Sequence, residues 1–236
     1  MGIMHRGMII DFSGNIVICG DCADSRVISY INNHRMNIDT YLVDPPFDNK
    51  MLYNVIPKNE NDYEKLIILS SPRNYLDGIF IAIENGWTPS FEFIWDGCVS
   101  HNIDNSPLLR HKSAKCFGSK YWNKLRGVYI DDDKPVNHLR KNYTHLQTVY
   151  KENFAKSDKI HPHEKPINWL SGIFGGIGSK HVLDYFAGSG NALFAAIDSG
   201  NMYTGIELDE DRCDAIIDQI KNKYPYSNIE ITKMVG

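Results

Sequence analysis

A chain of 236 residues, 42% hydrophobic and 23% charged, can bury one large core and is too apolar for global disorder. Its formal net charge of -4 gives no molecule-wide attraction to nucleic acid, although a local basic patch binds phosphate even on an acidic protein. No apolar run approaches the ~20 residues that span a bilayer, the first stretch is too short for a signal peptide, and position six offers no Ser or Thr for myristoylation of Gly2.

Five cysteines, at 19, 22, 98, 116 and 213, are scattered. Cys19-x-x-Cys22 could form a zinc half-site or a redox pair, but no second Cys/His pair at suitable spacing completes a metal site. Reduced thiols in a cytoplasmic protein are the expectation.

In chain order, β-rich runs alternate with helical patterns. "NIVIC" (15–19), "TYLV" (40–43), "LIILSS" (66–71) and "SFEFIW" (90–95) read as strands. Between the last two, "PRNYLDGIFIAIENG" reads as a helix started by Pro72 and closed by Gly86, with Leu76, Ile79, Phe80 and Ile83 at helical spacing. The final third repeats the rhythm: "HVLDYF" a strand, "NALFAAIDSG" a helix, "MYTGIEL" a strand, "DEDRCDAIIDQIKNKYP" a helix capped by Asp209 and stopped by Pro225. Such alternation predicts a mostly parallel sheet covered on both faces, with ligands at the carboxyl ends of its strands. Residues 101–159 break the pattern; they are polar and loop-like, with "SAKCF" and "GVYI" as short strand candidates. Their twelve Lys and Arg against six acids concentrate positive charge in this segment, which by composition alone is also what a solvated surface loop looks like.

Three motifs carry chemistry. In "YLVDPPFDNK" a buried strand runs into an acid and two residues that lack a backbone N–H, which is costly unless something uses the arrangement. In "LDYFAGSGNALFAA" a strand runs through Gly188-Ser189-Gly190 into a helix, so that backbone and helix N-terminus face a ligand. Leu193 stands where a dinucleotide fingerprint needs its third glycine, which disfavours a nicotinamide oxidoreductase. Glu207 ends the next strand, where an acid can accept both hydroxyls of a ribose. "HPHEKP" (161–166) is the third.

"DPPF", "HPHEKP" and "DYFAGSG" together resemble the amino-methyltransferases that use S-adenosylmethionine to methylate exocyclic amines of DNA bases. Their order, with the catalytic motif ahead of the cofactor turn, resembles the circularly permuted β group typified by many adenine methyltransferases. "VICGDC" is similar to that group's "GDC" lead-in, and "RHKSAKCF" to a degenerate "RHE" strand. The resemblance implies one Rossmann-like α/β domain over 1–236, with a mostly parallel seven-stranded sheet and a target-recognition insertion at 101–159. It also implies double-stranded DNA as partner, in a restriction-modification setting, and a possible homodimer.

It assigns residues as well. Asp44 and the carbonyl of Pro45 would accept the two N–H bonds of the target amine and localise its lone pair. Pro45 and Pro46 would hold that arrangement, and Phe47 would stack on an extruded base. Phe186, Ala187, Gly188, Ser189, Gly190 and Asn191, with Asp184 before them, would form the turn beside the methionine moiety. Glu207 would hold the ribose, Asp21 and Cys22 would lie near the adenine, and Lys165 would meet the methionine carboxylate, with His161 ordering its loop. Arg110, Lys112, Lys115, Lys120, Lys124 and Arg126, interleaved with aromatics, would contact DNA. Four positions depart from the group: Asn191 and Ala192 replace threonines, Lys112 replaces the "RHE" glutamate, and Asp48 stands where Asn is common. Asp at the head of the motif favours adenine. Cytosine 4-amino or RNA methylation, and a catalytically silent nucleic-acid-binding module, are the alternatives.

Overall fold

A computed structural model describes residues 7–34, 37–46, 50–70, 75–97, 111–119, 148–151 and 164–234. Its strands are β1 (Met8–Phe12), β2 (Asn15–Cys19), β3 (Thr40–Val43), β4 (Lys65–Ser70), β5 (Thr88–Asp96), β6 (His111–Gly118), β7 (Val149–Lys151), β8 (His181–Asp184), β9 (Met202–Glu207) and β10 (Ile229–Lys233). Its helices are α1 (Ser25–His34), α2 (Tyr75–Glu84), α3 (Ile167–Ile177), α4 (Asn191–Asp198) and α5 (Glu210–Lys223). The chain divides into two compact units, residues 1–42 with 160–236, and residues 43–159.

In the first unit the strand order is β10-β1-β2-β9-β8-β3. The pairs β2/β9, β9/β8 and β8/β3 are parallel, whereas β1 pairs antiparallel with both β2 and β10. The β1–β2 hairpin turns through Ser13 (φ 52°) and Gly14 (φ 82°), and the Gly14 N–H donates to Asp11 Oδ1 at 2.9 Å. Two consecutive left-handed residues are what a two-residue hairpin demands. Ile10, Ile18, Leu183, Leu193 and Ile216 are fully buried in its core. α5 starts at Asp209, whose side chain accepts from the backbone N–H groups of Asp211 and Arg212, as the capping pattern predicts.

In the second unit the order is β4-β6-β5-β7. β6 lies between β4 and β5 and is antiparallel to both. Trp87 is 2% exposed, and its indole N–H donates to the Pro57 carbonyl at 2.7 Å.

Several expectations change. The described strands number ten rather than seven, and antiparallel pairing at β1/β10, β1/β2, β4/β6 and β5/β6 makes the sheet structure mixed. The alternation of strand and helix reads only the parallel part, because hairpin strands need no intervening helix. "SAKCF" forms a strand as its pattern predicts, within the longer β6, an interior strand with Ala114, Cys116 and Phe117 buried; "GVYI" lies outside the described residues. Cys19 is not reduced: it forms a disulfide with Cys213, Cα atoms 6.2 Å apart and 194 positions away in sequence. Both cysteines are buried where α5 packs on β2, so Cys22 is not the partner of Cys19.

The α2 pattern predicts the helix but the wrong face. Leu76, Phe80 and Ile83 are exposed, while Gly78 and Ala82 are buried. Small residues let α2 approach Tyr53, whose ring is 2% exposed. A Cβ at Gly78 would sit 2.7 Å from Tyr53 Cε1 and 2.8 Å from Cδ1. Gly→Ala inside a helix ordinarily stabilises by about 1 kcal/mol. Here Gly78→Ala is expected to destabilise by about 1–3 kcal/mol through overpacking, read as a lower urea midpoint at unchanged slope. A raised midpoint would show that the Tyr53 ring yields.

Candidate functional site

The parallel strands of the first unit end in acids or lead directly into them. Asp184 and Glu207 are the last residues of β8 and β9, and Asp21 stands two residues after β2. Asp44, which follows β3 directly, belongs to the second unit and is partly exposed, with Pro45 buried and Pro46 exposed.

Between β8 and α4 the chain makes the glycine turn. Gly188 (φ 59°) and Gly190 (φ 82°) both adopt the left-handed conformation that other residues resist. A Cβ at Gly190 would lie 3.0 Å from Ile216 Cγ1, so this glycine also lets the turn press against α5. Among the described residues a Cβ at Gly188 would meet nothing closer than the Phe186 carbonyl, at 3.8 Å, so that face of the turn is open to them.

Side chains grip the turn from several directions. Glu207 Oε2 accepts the Gly188 N–H at 2.7 Å, and its Oε1 accepts the Asp209 N–H at 2.9 Å. Asp184 Oδ1 accepts the Phe186 N–H at 2.9 Å. Gln219, on α5, donates its amide to the Ser189 carbonyl at 2.8 Å. Asn191, the first residue of α4, donates to the Lys165 carbonyl at 2.9 Å and so ties the "HPHEKP" segment to the turn. The Gly20 N–H donates to the Glu207 carbonyl at 2.8 Å, which brings the Asp21–Cys22 loop to the same strand end.

Charge and burial set the chemistry of these groups. Burial raises the Glu207 carboxyl above its ordinary value, against the Asp209 and Gly188 N–H bonds and Arg212, which lower it. The Arg212 guanidinium stays 4.0 Å from Glu207 and is 41% exposed. Burial, then Asp21, pushes the Cys22 thiol up to about 11, which makes it a poor nucleophile at neutral pH. In the second unit, burial and then the charges of Asp44 and Asp77 push the Tyr53 hydroxyl up to about 12.

The sequence-predicted residues of the cofactor turn, with Asp21, Cys22, Lys165 and Glu207, are thus connected through the carboxyl edge of the first unit. Asp184 is 2% exposed, with Oδ1 and Oδ2 both bonded to protein groups, and supports the turn from within. Lys112 and Lys115 lie on β6, and Lys115 pairs with Glu92. Phe47, Arg110, Lys120, Lys124, Arg126 and His161 lie outside the described residues.

Sequence reasoning missed Tyr203, Gly205 and Gln219. Tyr203 Oη donates to Asp184 Oδ2 at 2.9 Å, and its ring crosses Gly205, where a Cβ would lie 2.5 Å from Tyr203 Cε1. A glycine inside a strand signals such close approach. Gln219 carried no signal, because a polar residue on an amphipathic helix is ordinary. Tyr203→Phe is expected to cost about 1–3 kcal/mol, since buried Asp184 loses this donor. Thermal or urea unfolding measures it, and a neutral variant would remove Tyr203 from the support of the turn.

No family model matches the chain, and no curated protein matches it. Solved structures do. The crystal structure of an M1.HpyAVI–SAM complex is similar with a TM-score of 0.62 at 19% identity, over 86% of this chain and 98% of that one. PvuII DNA methyltransferase (cytosine-N4-specific) is similar with a TM-score of 0.56 at 12% identity, over 92% of this chain and 88% of that one. TTHA0409 from Thermus thermophilus, complexed with S-adenosyl-L-methionine, gives 0.51 at 14%, over 80% of this chain and 88% of that one. Likeness at these identities establishes one thing about this chain: it has the α/β fold that those proteins share.

Proposed function

We propose that the chain is a DNA methyltransferase that uses S-adenosylmethionine and acts on the 6-amino group of adenine. One observation carries the reading. A buried carboxylate, Glu207, bonds the N–H of a left-handed glycine whose outer face is open, at the carboxyl edge of parallel strands. The circularly permuted motif order and the fold shared with DNA methyltransferases support it.

The residues present fit the cofactor. Glu207 supplies acidic acceptors for ribose hydroxyls, the open face of Gly188 lets the backbone approach the ligand, and Lys165 supplies a cation for a carboxylate. S-adenosylmethionine, when bound, supplies an electrophilic methyl group on a sulfonium. Asp44 and the Pro45 carbonyl accept the N–H bonds of the target amine, which favours a pyramidal nitrogen with a localised lone pair. Neither proline offers an N–H that would compete for water or base. Arg110, Lys112, Lys115, Lys120, Lys124 and Arg126 belong to the DNA contact in this reading, within a recognition region at 101–159.

A second target is favoured by a specific finding, the likeness to a cytosine-N4-specific enzyme. Transfer of labelled methyl to double-stranded DNA, single-stranded DNA and RNA, followed by nucleoside analysis, decides among adenine, cytosine and RNA. No transfer to any of them, with cofactor bound, would leave a silent binding module.

Asp44→Ala is expected to abolish transfer while S-adenosylmethionine affinity stays within about tenfold, or about 1.4 kcal/mol. Gly188→Val should instead lose S-adenosylmethionine binding, and transfer with it, because a β-branched residue at φ 59° is strained and fills the open face. Equal loss of binding and transfer in Asp44→Ala, or unchanged affinity in folded Gly188→Val, would overturn these roles.

Acidity gives an independent check. Glu207 holds ribose hydroxyls only when ionised, and its carboxyl lies above the ordinary value. Cofactor affinity should therefore fall as pH drops through that raised value, earlier on acidification than for an exposed glutamate. Calorimetric titration across pH measures it, with Glu207→Gln expected to flatten the profile. An unchanged profile in Glu207→Gln would remove the acid from the ribose site.

A further inference from the structure

The glycine turn is bonded on both sides of its centre, and at the centre not at all. The peptide joining Ala187 to Gly188 gives its N–H to Glu207 Oε2 at 2.7 Å, and its carbonyl accepts the Gly190 N–H at 2.9 Å. The peptide joining Ser189 to Gly190 supplies that N–H, and its carbonyl accepts from Gln219 Nε2 at 2.8 Å. Between them lies the Gly188–Ser189 peptide, whose carbonyl and N–H have no bonding partner among the described residues. Gly188 and Ser189 are partly exposed, whereas Gly190 behind them is buried.

Glu207 holds the first flanking peptide. The second depends on Gln219, a neutral side chain that lies on the same face of α5 as Ile216, three residues before it. Its bond decides a competition. Leu193, the third residue of α4, stands four positions after Ser189, so its N–H is the donor that a helix begun earlier would send to the Ser189 carbonyl. That N–H has no backbone acceptor among the described residues. Gly190 would not oppose the change, because glycine passes from left-handed backbone (φ 82°) to helical backbone at little cost. Winding α4 back in this way would draw Ser189 into the helix and reorient the Gly188–Ser189 peptide. We infer that Gln219 is a positioning residue of the cofactor site, which claims the Ser189 carbonyl ahead of Leu193 and so presents the Gly188–Ser189 peptide to the methionine end of S-adenosylmethionine. The inference rests on the cofactor reading proposed above. It adds to that site a residue 30 positions from Ser189 that acts through the backbone of the turn.

Two replacements test it. Gln219→Met keeps the length of the side chain and removes its donor, and Gln219→Glu keeps the shape with a carboxylate that cannot donate at neutral pH. Each is expected to weaken S-adenosylmethionine binding about tenfold by calorimetry, the scale of one lost hydrogen bond. At saturating cofactor, kcat for methyl transfer should stay within about threefold of the parent, because the bond serves ground state and transition state alike. A crystal structure of Gln219→Met should show the Ser189 carbonyl accepting the Leu193 N–H. Unchanged affinity in a folded variant would overturn the inference, as would a matching fall in kcat at saturation or a Ser189 carbonyl that keeps its parental direction. Should one variant fail to fold, the other is read in the same way; failure of both would make Gln219 a structural residue and overturn the inference too. Failure of the parent protein to bind S-adenosylmethionine overturns the proposed function instead, and is read in the parent alone.

Discussion

A carboxylate taken out of water must find donors, and Glu207 finds them in the backbone of the loops that leave the parallel strands. Desolvating such a charge costs several kcal/mol, which the bonds it receives must offset. Its side chain bonds the Gly188 and Asp209 N–H groups, and its carbonyl accepts from Gly20. One residue thus sets the distance between the glycine turn, the Asp21 loop and the first turn of α5. The left-handed backbone at Gly188 follows from this, since its N–H must face the carboxylate while the chain enters α4.

The turn is held from the other side by buried groups. Asp184 bonds the Phe186 N–H with one oxygen and the Tyr203 hydroxyl with the other, and the Tyr203 ring lies where a side chain at position 205 would stand. A similar dependence operates in the second unit. There Tyr53 lies within the field of Asp44, and the missing side chain of Gly78 lets α2 close on its ring. In both units a glycine in a regular element makes room for a tyrosine associated with an acid that ends or follows a parallel strand.

Much of this was legible in the sequence, for identifiable reasons. Strands β2, β3, β8 and β9 and helices α2, α4 and α5 carry strong periodicity and sharp stops, so their existence needed no tertiary information. Glu207 and the glycine turn announced themselves because φ above zero and an acid at a strand end are local properties. What failed was nonlocal. The buried face of α2 is set by Gly78 against Tyr53, not by its largest apolar residues. β1 and β10 pair antiparallel at the sheet edge, and nothing in a five-residue segment says which strand it will join. The Cys19–Cys213 disulfide joins positions 194 apart, and so lay beyond any spacing rule. The Asn191 amide bonds the Lys165 carbonyl, 26 positions away, a partner that no local pattern names.

That bond, with the one from Gln219, bears on how the site keeps its charge available. The carbonyls of Ser189 and Lys165 could have been bonded by lysine or arginine, and more strongly. A cation at position 219 would then stand beside the turn that Glu207 holds, and would compete for the carboxylate. Neutral amides bond both carbonyls without that competition. The cation nearest Glu207 at an ion-pair distance among the described residues is Arg212, at 4.0 Å, exposed enough for solvent to screen it and shared with Asp209 at 3.6 Å. Glu207 is left bonded mainly to N–H groups that fix its position and only partly spend its charge. An acid in that condition can still accept hydroxyl donors, which a tight ion pair would have prevented.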